Sequence, residues 1–185
     1  MRTILVSFLC VMLLCTCRKA QDPSLRPIDQ LPPATKVGAN KAGCLVDGEV
    51  LLPRSRNLFG PPVMVCFYQY VDSKWIFGFS YSNDDALSLR VIKIASVDIE
   101  LCEGQVYPLV KESNETSSAT YSAWTDGQAF ISQYYTNDTI TGELTITYLN
   151  PSLSIISGTF WFDAVNSEGK VVQVREGRFD MQYSP

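Results

Sequence analysis

The sequence predicts an all-β domain, an antiparallel β-sandwich or a lipocalin-like barrel of roughly nine to ten strands in meander-rich order. Three observations lead there. Apolar and polar residues alternate with a period of two over many short segments, which places successive side chains on opposite faces of a strand. Turn chemistry such as Asp47-Gly48, Asp126-Gly127 and Asn150-Pro151 punctuates those segments at strand-sized intervals. No long stretch carries the spacing of an amphipathic helix, and aromatics make up 11% of the chain, which favours strands.

The first residues read differently. A single Arg2 precedes an apolar run from Ile4 to Leu14, too short to span a bilayer and suited to the core of a signal peptide. Leu14-Cys15-Thr16-Cys17 resembles a bacterial lipobox, so residues 1–16 are expected to be removed and Cys17 to carry acyl chains. An ordinary secretory cut elsewhere is the competing reading, and Cys15 the competing cysteine. Acyl chains would attach the protein to a membrane without a spanning helix. Residues 17–42, rich in Pro and polar side chains, read as a tether, and 43–185 as a single β domain.

Along that domain, Cys44–Val46 and Val50–Leu52 flank Asp47-Gly48 as a hairpin. Val63–Val71 and Trp75–Tyr81 are aromatic-rich strands around Asp72-Ser73-Lys74. Leu87–Leu101 is one bent strand or two, because its phase slips near Ala95. Pro108 marks Val106–Leu109 as an edge piece. Thr120–Thr125 and Gln128–Tyr135 form a hairpin about Asp126-Gly127; a two-residue turn there would pair Trp124 with Ala129 and Ala123 with Phe130.

Three strands close the chain. Ile140–Tyr148 and Ile156–Asp163 alternate cleanly, the second placing Ser157, Thr159, Trp161 and Asp163 on the polar side. In the last strand Val172 and Val174 share one parity, while Phe179, Met181 and Tyr183 share the other. One inserted residue restores a single buried face, so a β-bulge is expected at Glu176-Gly177.

The net charge is −4, with no block of Lys or Arg, which argues against nucleic acid as a partner. The chain has no His, so neither Ser-His nor Cys-His nucleophile pairs can form and the commonest zinc ligand is missing. No phosphate-binding Gly-rich loop appears, and no cofactor is expected. Asp163, Glu176 and Asp180 could form a carboxylate pair of the glycosidase kind only if two of them converge across a cleft; exposed, salt-bridged acids are the better expectation. Asn83-Asp84-Asp85 could offer oxygens to Ca²⁺ but reads as a turn, so no metal site is expected. Cys44, Cys66 and Cys102 remain as disulfide candidates in an oxidising compartment. At most one internal pair can form, and three reduced thiols are the alternative. Trp75, Trp124 and Trp161 are the candidate binding residues. Trp161 is foremost, because its parity points outward and an exposed indole can stack on a sugar or a partner's apolar patch.

Leu31-Pro32-Pro33-Ala34-Thr35, Gly38-Ala39-Asn40 and Cys44-Leu45-Val46-Asp47-Gly48 resemble the start of a Bacteroidetes family of uncharacterised lipoproteins. Thr145-Ile146-Thr147, Ile156-Ser157-Gly158-Thr159-Phe160 and Gly177-Arg178-Phe179-Asp180 resemble its end. The resemblance implies an envelope location and an all-β domain, and supplies no catalytic residue. Arg18-Lys19 after Cys17 departs from the acidic signal for surface display in that phylum and favours the periplasmic side. Asp138-Thr139-Ile140 resembles its O-glycosylation acceptor, with Thr139 modified. The resulting expectation is a non-enzymatic envelope lipoprotein that binds a protein or glycan. A calycin-like binder of a small apolar ligand is the alternative.

Overall fold

The computed structural model describes residues 24–56 and 60–185; the signal segment 1–16 and Cys17 lie outside them. The strands are β1 (Lys41–Val46), β2 (Glu49–Leu51), β3 (Met64–Val71), β4 (Lys74–Asp84), β5 (Ser88–Val97) and β6 (Val106–Leu109). They continue with β7 (Ser117–Thr125), β8 (Ser132–Tyr135), β9 (Gly142–Asn150), β10 (Ile155–Val165) and β11 (Val171–Gln182). A four-residue 3-10 turn, Pro27–Gln30, is the only helical element among the described residues. None of these has a helix long and apolar enough to cross a membrane.

The strands form one continuous sheet in the order β2-β1-β11-β10-β9-β6-β7-β5-β4-β3, and it closes into a barrel with the outer strands packed on its wall. Closure uses two short contacts. Ser184, just past β11, exchanges backbone hydrogen bonds with Cys66 and Tyr68 of β3 at 3.0 and 3.1 Å. Arg54, just past β2, does the same with Ser82 and Asp84 of β4. At these contacts the two ends of the sheet meet, so the outer side of β3 is partly covered among the described residues. Of the two expected architectures the core is the barrel, and the described residues form eleven strands where roughly nine to ten were expected.

The period-two pattern explains the core. Phe77, Phe79 and Tyr81 of β4, Ile92 and Ile94 of β5, Leu144 and Ile146 of β9, and Phe160 and Phe162 of β10 alternate with exposed or half-buried neighbours, the buried Gly78 excepted, and fill the barrel. Phe79 stacks on Phe179 with ring centroids 4.5 Å apart, and Phe160 lies 6.2 Å from Phe79. Each such ring removed from water stabilises the fold by roughly 1.5–3 kcal/mol. At one end Trp75 stacks on Tyr68 at 4.8 Å and Tyr183 meets Tyr68 edge-on, forming an aromatic lid.

Several sequence expectations change. Within Leu87–Leu101 there is one strand, β5, which ends at Val97, just before Asp98 takes a left-handed φ of 61°. β6 is not an edge: Pro108 pairs opposite Glu143 of β9, and Leu109 also bridges to Ser117 of β7. Pro is tolerated because four residues joining two strands leave few ladder positions to satisfy. The hairpin about Asp126-Gly127 is wider than a two-residue turn. Ala123 pairs with Ser132 rather than Phe130, and residues 126–131 loop out with Phe130 85% exposed. Trp124 explains this locally, since its Nε1 donates to the carbonyl of Gln128 and draws the loop back on itself.

The β domain reaches further toward the N-terminus than the Pro-rich composition suggests. Leu31 is buried, and Thr35 to Ala39 are tied by hydrogen bonds to Asp180, so the domain begins near Leu31 rather than at residue 43. Cys44, Cys66 and Cys102 are all free thiols. Burial pushes the first two up to about 12, the range of an inert apolar side chain.

Candidate functional site

The last two strands meet the rest of the fold through a fault in their ladder. Phe160 pairs with Gly177 and Phe162 with Val174, so Arg175 and Glu176 together oppose the single residue Trp161. This is the expected bulge, and it resets β11 so that Val172 and Val174 before it and Phe179 and Met181 after it all face the core. The left-handed residue is Glu176, at a φ of 55°, rather than Gly177. Gly177 is required for another reason: a Cβ there would lie 2.4 Å from the Phe160 ring.

The bulge throws three side chains onto the outer face beside Trp161. Arg175 crosses the gap, with Nη1 donating to the carbonyls of Phe162 at 3.1 Å and Val174 at 2.9 Å. Its Nη2 lies 2.6 Å from Asp163 Oδ1, and its guanidinium sits over the Trp161 ring at 5.4 Å. The indole is fixed from the other side, where Nε1 donates to Glu143 Oε2 at 3.1 Å. Arg178 turns back to Glu176 at 3.3 Å.

Glu143, Trp161, Arg175, Glu176 and Arg178 line an open groove of about 530 Å³ together with Ala34, Thr145, Thr159, Phe160 and Gly177. Trp161 is 37% exposed within it. The lining charges, Arg175 and Arg178 against Glu143 and Glu176, cancel. Each charged group already has a neighbouring partner, which reduces the side-chain freedom a ligand would have to remove.

One wall rests on an anchor that parity alone misplaced. Alternation makes Asp180 an exposed acid, yet it is 2% exposed. Its carboxylate accepts five hydrogen bonds, from Thr35 Oγ1 at 2.6 Å, Ser157 Oγ at 2.8 Å and the backbone N–H groups of Val37, Gly38 and Ala39. Burial alone would raise this carboxyl, but the hydrogen bonds from Thr35, Val37, Ala39 and Ser157 outweigh it and bring it down to about 2. Ser157 is buried beneath the same segment, off the solvated face where alternation put it. The segment so held carries Ala34 to the groove's rim.

The candidate carboxylates therefore have separate duties. Asp163 holds Arg175, Glu176 holds Arg178, and Asp180 anchors residues 35–39. The three tryptophans do not share a site either. Trp75 belongs to the aromatic lid, Trp124 shapes the β7–β8 loop, and Trp161 alone stands in the groove. Asn83 and Asp84 end β4 rather than forming a turn, and Asp85 Oδ1 caps Leu87 and Ser88; no metal-ligating cluster occurs among the described residues. Thr139 is exposed in a turn organised by Asn137 Oδ1, which accepts its hydroxyl and its N–H. It lines a second open groove, also of about 530 Å³, with Lys111 and Tyr135.

A family model for a domain of unknown function, DUF6252, matches residues 79–181, which run from the middle of β4 to the end of β11. The chain belongs to the DUF6252 family. No curated protein and no solved structure matches it. The matched part of this DUF6252 chain contains Trp161, Arg175, Glu176 and Arg178, and leaves out β1 to β3 and the segment at the groove's rim.

Proposed function

We infer that the protein is a lipid-anchored envelope protein whose β domain binds a protein or glycan without catalysing a reaction. The observation that carries this reading is the groove over the bulge. An exposed indole, pinned at its edge and flanked by paired charges, offers a flat apolar surface bordered by hydrogen-bonding groups, the arrangement that suits a sugar ring or a partner's apolar residue. Anchorage through Cys17, with the periplasmic side favoured by Arg18-Lys19, would present the domain at a membrane. Thr139, exposed in its turn, is the position proposed for O-glycosylation.

The assignment of every groove carboxylate to an ion pair or an indole supports a binding role over a hydrolytic one. The Phe79–Phe179 stack works against a large apolar ligand inside the barrel. The test is binding of the purified full chain to isolated envelope and to immobilised glycans. Trp161→Ala should abolish binding while leaving the melting temperature within a few degrees of wild type. Equal binding by wild type and variant would remove the groove from the account.

A further inference from the structure

Two rungs of the sheet run beneath the Trp161 groove. In the first, Glu143 of β9 pairs with Trp161 of β10, and the bulge sets Arg175 and Glu176 of β11 opposite the indole. In the second, Thr159 of β10 pairs with Thr145 on one side and with Arg178 of β11 on the other. Thr145, Thr159 and Arg178 are half-buried on the outer face, two residues or about 7 Å along the strands from the first rung. The rungs differ in what they leave open. In the first, Trp161 Nε1 is engaged by Glu143, and Arg175 by Asp163 and two carbonyls. In the second, neither threonine hydroxyl hydrogen-bonds another described residue. Arg178 directs Nε and Nη2 to Glu176, and its Nη1 is open among the described residues.

The groove thus sets an exposed indole beside a row of two hydroxyls and one guanidinium N–H that the fold leaves without partners. A ligand laying only apolar surface there would cut these groups off from water with nothing in exchange, at about 1–3 kcal/mol each. An anion gains little, because each lining arginine already faces a carboxylate. A ring with an apolar face and neighbouring hydroxyls at its edge answers both rungs. We propose that the groove binds an uncharged glycan, with a pyranose ring on the Trp161 indole and its vicinal hydroxyls on Thr145, Thr159 and Arg178 Nη1. The open volume of about 530 Å³ is in the range that takes a ligand larger than one ring. This inference rests on the groove being the binding face and selects glycan over protein as its occupant.

Isolated envelope is the probe, in three forms: untreated, oxidised with periodate, which cleaves vicinal diols, and digested with protease. Binding of the purified full chain is read as the difference between wild type and Trp161→Ala, which cancels any insertion of acyl chains. That difference should persist after protease, vanish after periodate, and change little between about 0.05 and 0.5 M salt, because no net charge is engaged. Thr159→Val keeps the branched shape and strand propensity of the side chain and should weaken binding several-fold by removing a hydrogen-bond partner. Against an apolar protein side chain the same substitution would tighten binding. A difference that survives periodate, disappears with protease and grows in Thr159→Val would overturn the glycan and leave the groove in place. No difference on untreated envelope would remove the groove and this inference together.

Discussion

Thr35 donates its hydroxyl to Asp180 at 2.6 Å, joining the segment before β1 to the far end of the last strand. Three backbone N–H groups from Val37 to Ala39 and the hydroxyl of Ser157 complete the set around the same carboxylate. One buried acid thus fastens the N-terminal segment across β11 and β10 and sets one boundary of the Trp161 groove.

Asp180→Asn should therefore destabilise the fold by roughly 3 kcal/mol, because it removes the charge from several charge-assisted hydrogen bonds and turns one acceptor oxygen into a donor. The pH dependence follows from the lowered carboxyl. A group at about 2 in the folded chain and 3.8 in the unfolded one contributes about 2 kcal/mol that is fully present above pH 4 and lost as pH falls through 2. Denaturant titrations between pH 2 and 7 check this: wild type should lose that increment on acidification, and Asp180→Asn should not.

The two bulge residues should respond in opposite ways. Gly177→Ala drives a methyl into the Phe160 ring and should cost about 1–3 kcal/mol. Glu176→Gly relieves a left-handed φ while giving up an exposed ion pair, and should leave stability within about 1 kcal/mol of wild type. Thermal unfolding of the two variants compares them directly. A glycine needed at 176 rather than 177 would reverse the order.

Thiol reactivity separates the cysteines. Cys44, which accepts a 3.0 Å contact from the Tyr81 hydroxyl, and Cys66 are buried and held near 12 by that burial, whereas Cys102 is exposed. In the folded protein a thiol reagent should modify Cys102 promptly and reach Cys44 and Cys66 only on unfolding. Reaction followed by peptide mapping reads this out.

Anchorage is tested by metabolic labelling with palmitate. The proposed reading requires label on wild type, none on Cys17→Ala, and accumulation of the unprocessed precursor when lipoprotein signal peptidase is inhibited. Label retained in Cys17→Ala would move the acylation elsewhere.

Much of the fold was legible because alternation is a local property. Phe77, Phe79 and Tyr81, or Leu144 and Ile146, announce their faces within a few residues, and the bulge announced itself through the clash of phase between Val174 and Phe179. What could not be read depends on partners distant in sequence. Asp180 looks exposed by parity because nothing near it reveals that residues 35–39 fold over it. Pro108 looks like an edge because the sequence does not show β9 and β7 closing on either side. The outward parity of Trp161 is legible in its own strand, but its confinement by Glu143 and Arg175 needs two neighbouring strands and a bulge in register.

The central claim is that the groove beside Trp161 is the working face of the domain. In-cell photo-crosslinking tests it most directly, with a photoreactive residue placed at Thr159 in the groove or at Lys93 on β5, an exposed position outside it. The account predicts a discrete adduct from Thr159, absent when Trp161→Ala is added, and none from Lys93. Equal adducts from both positions, or none from Thr159, would contradict it.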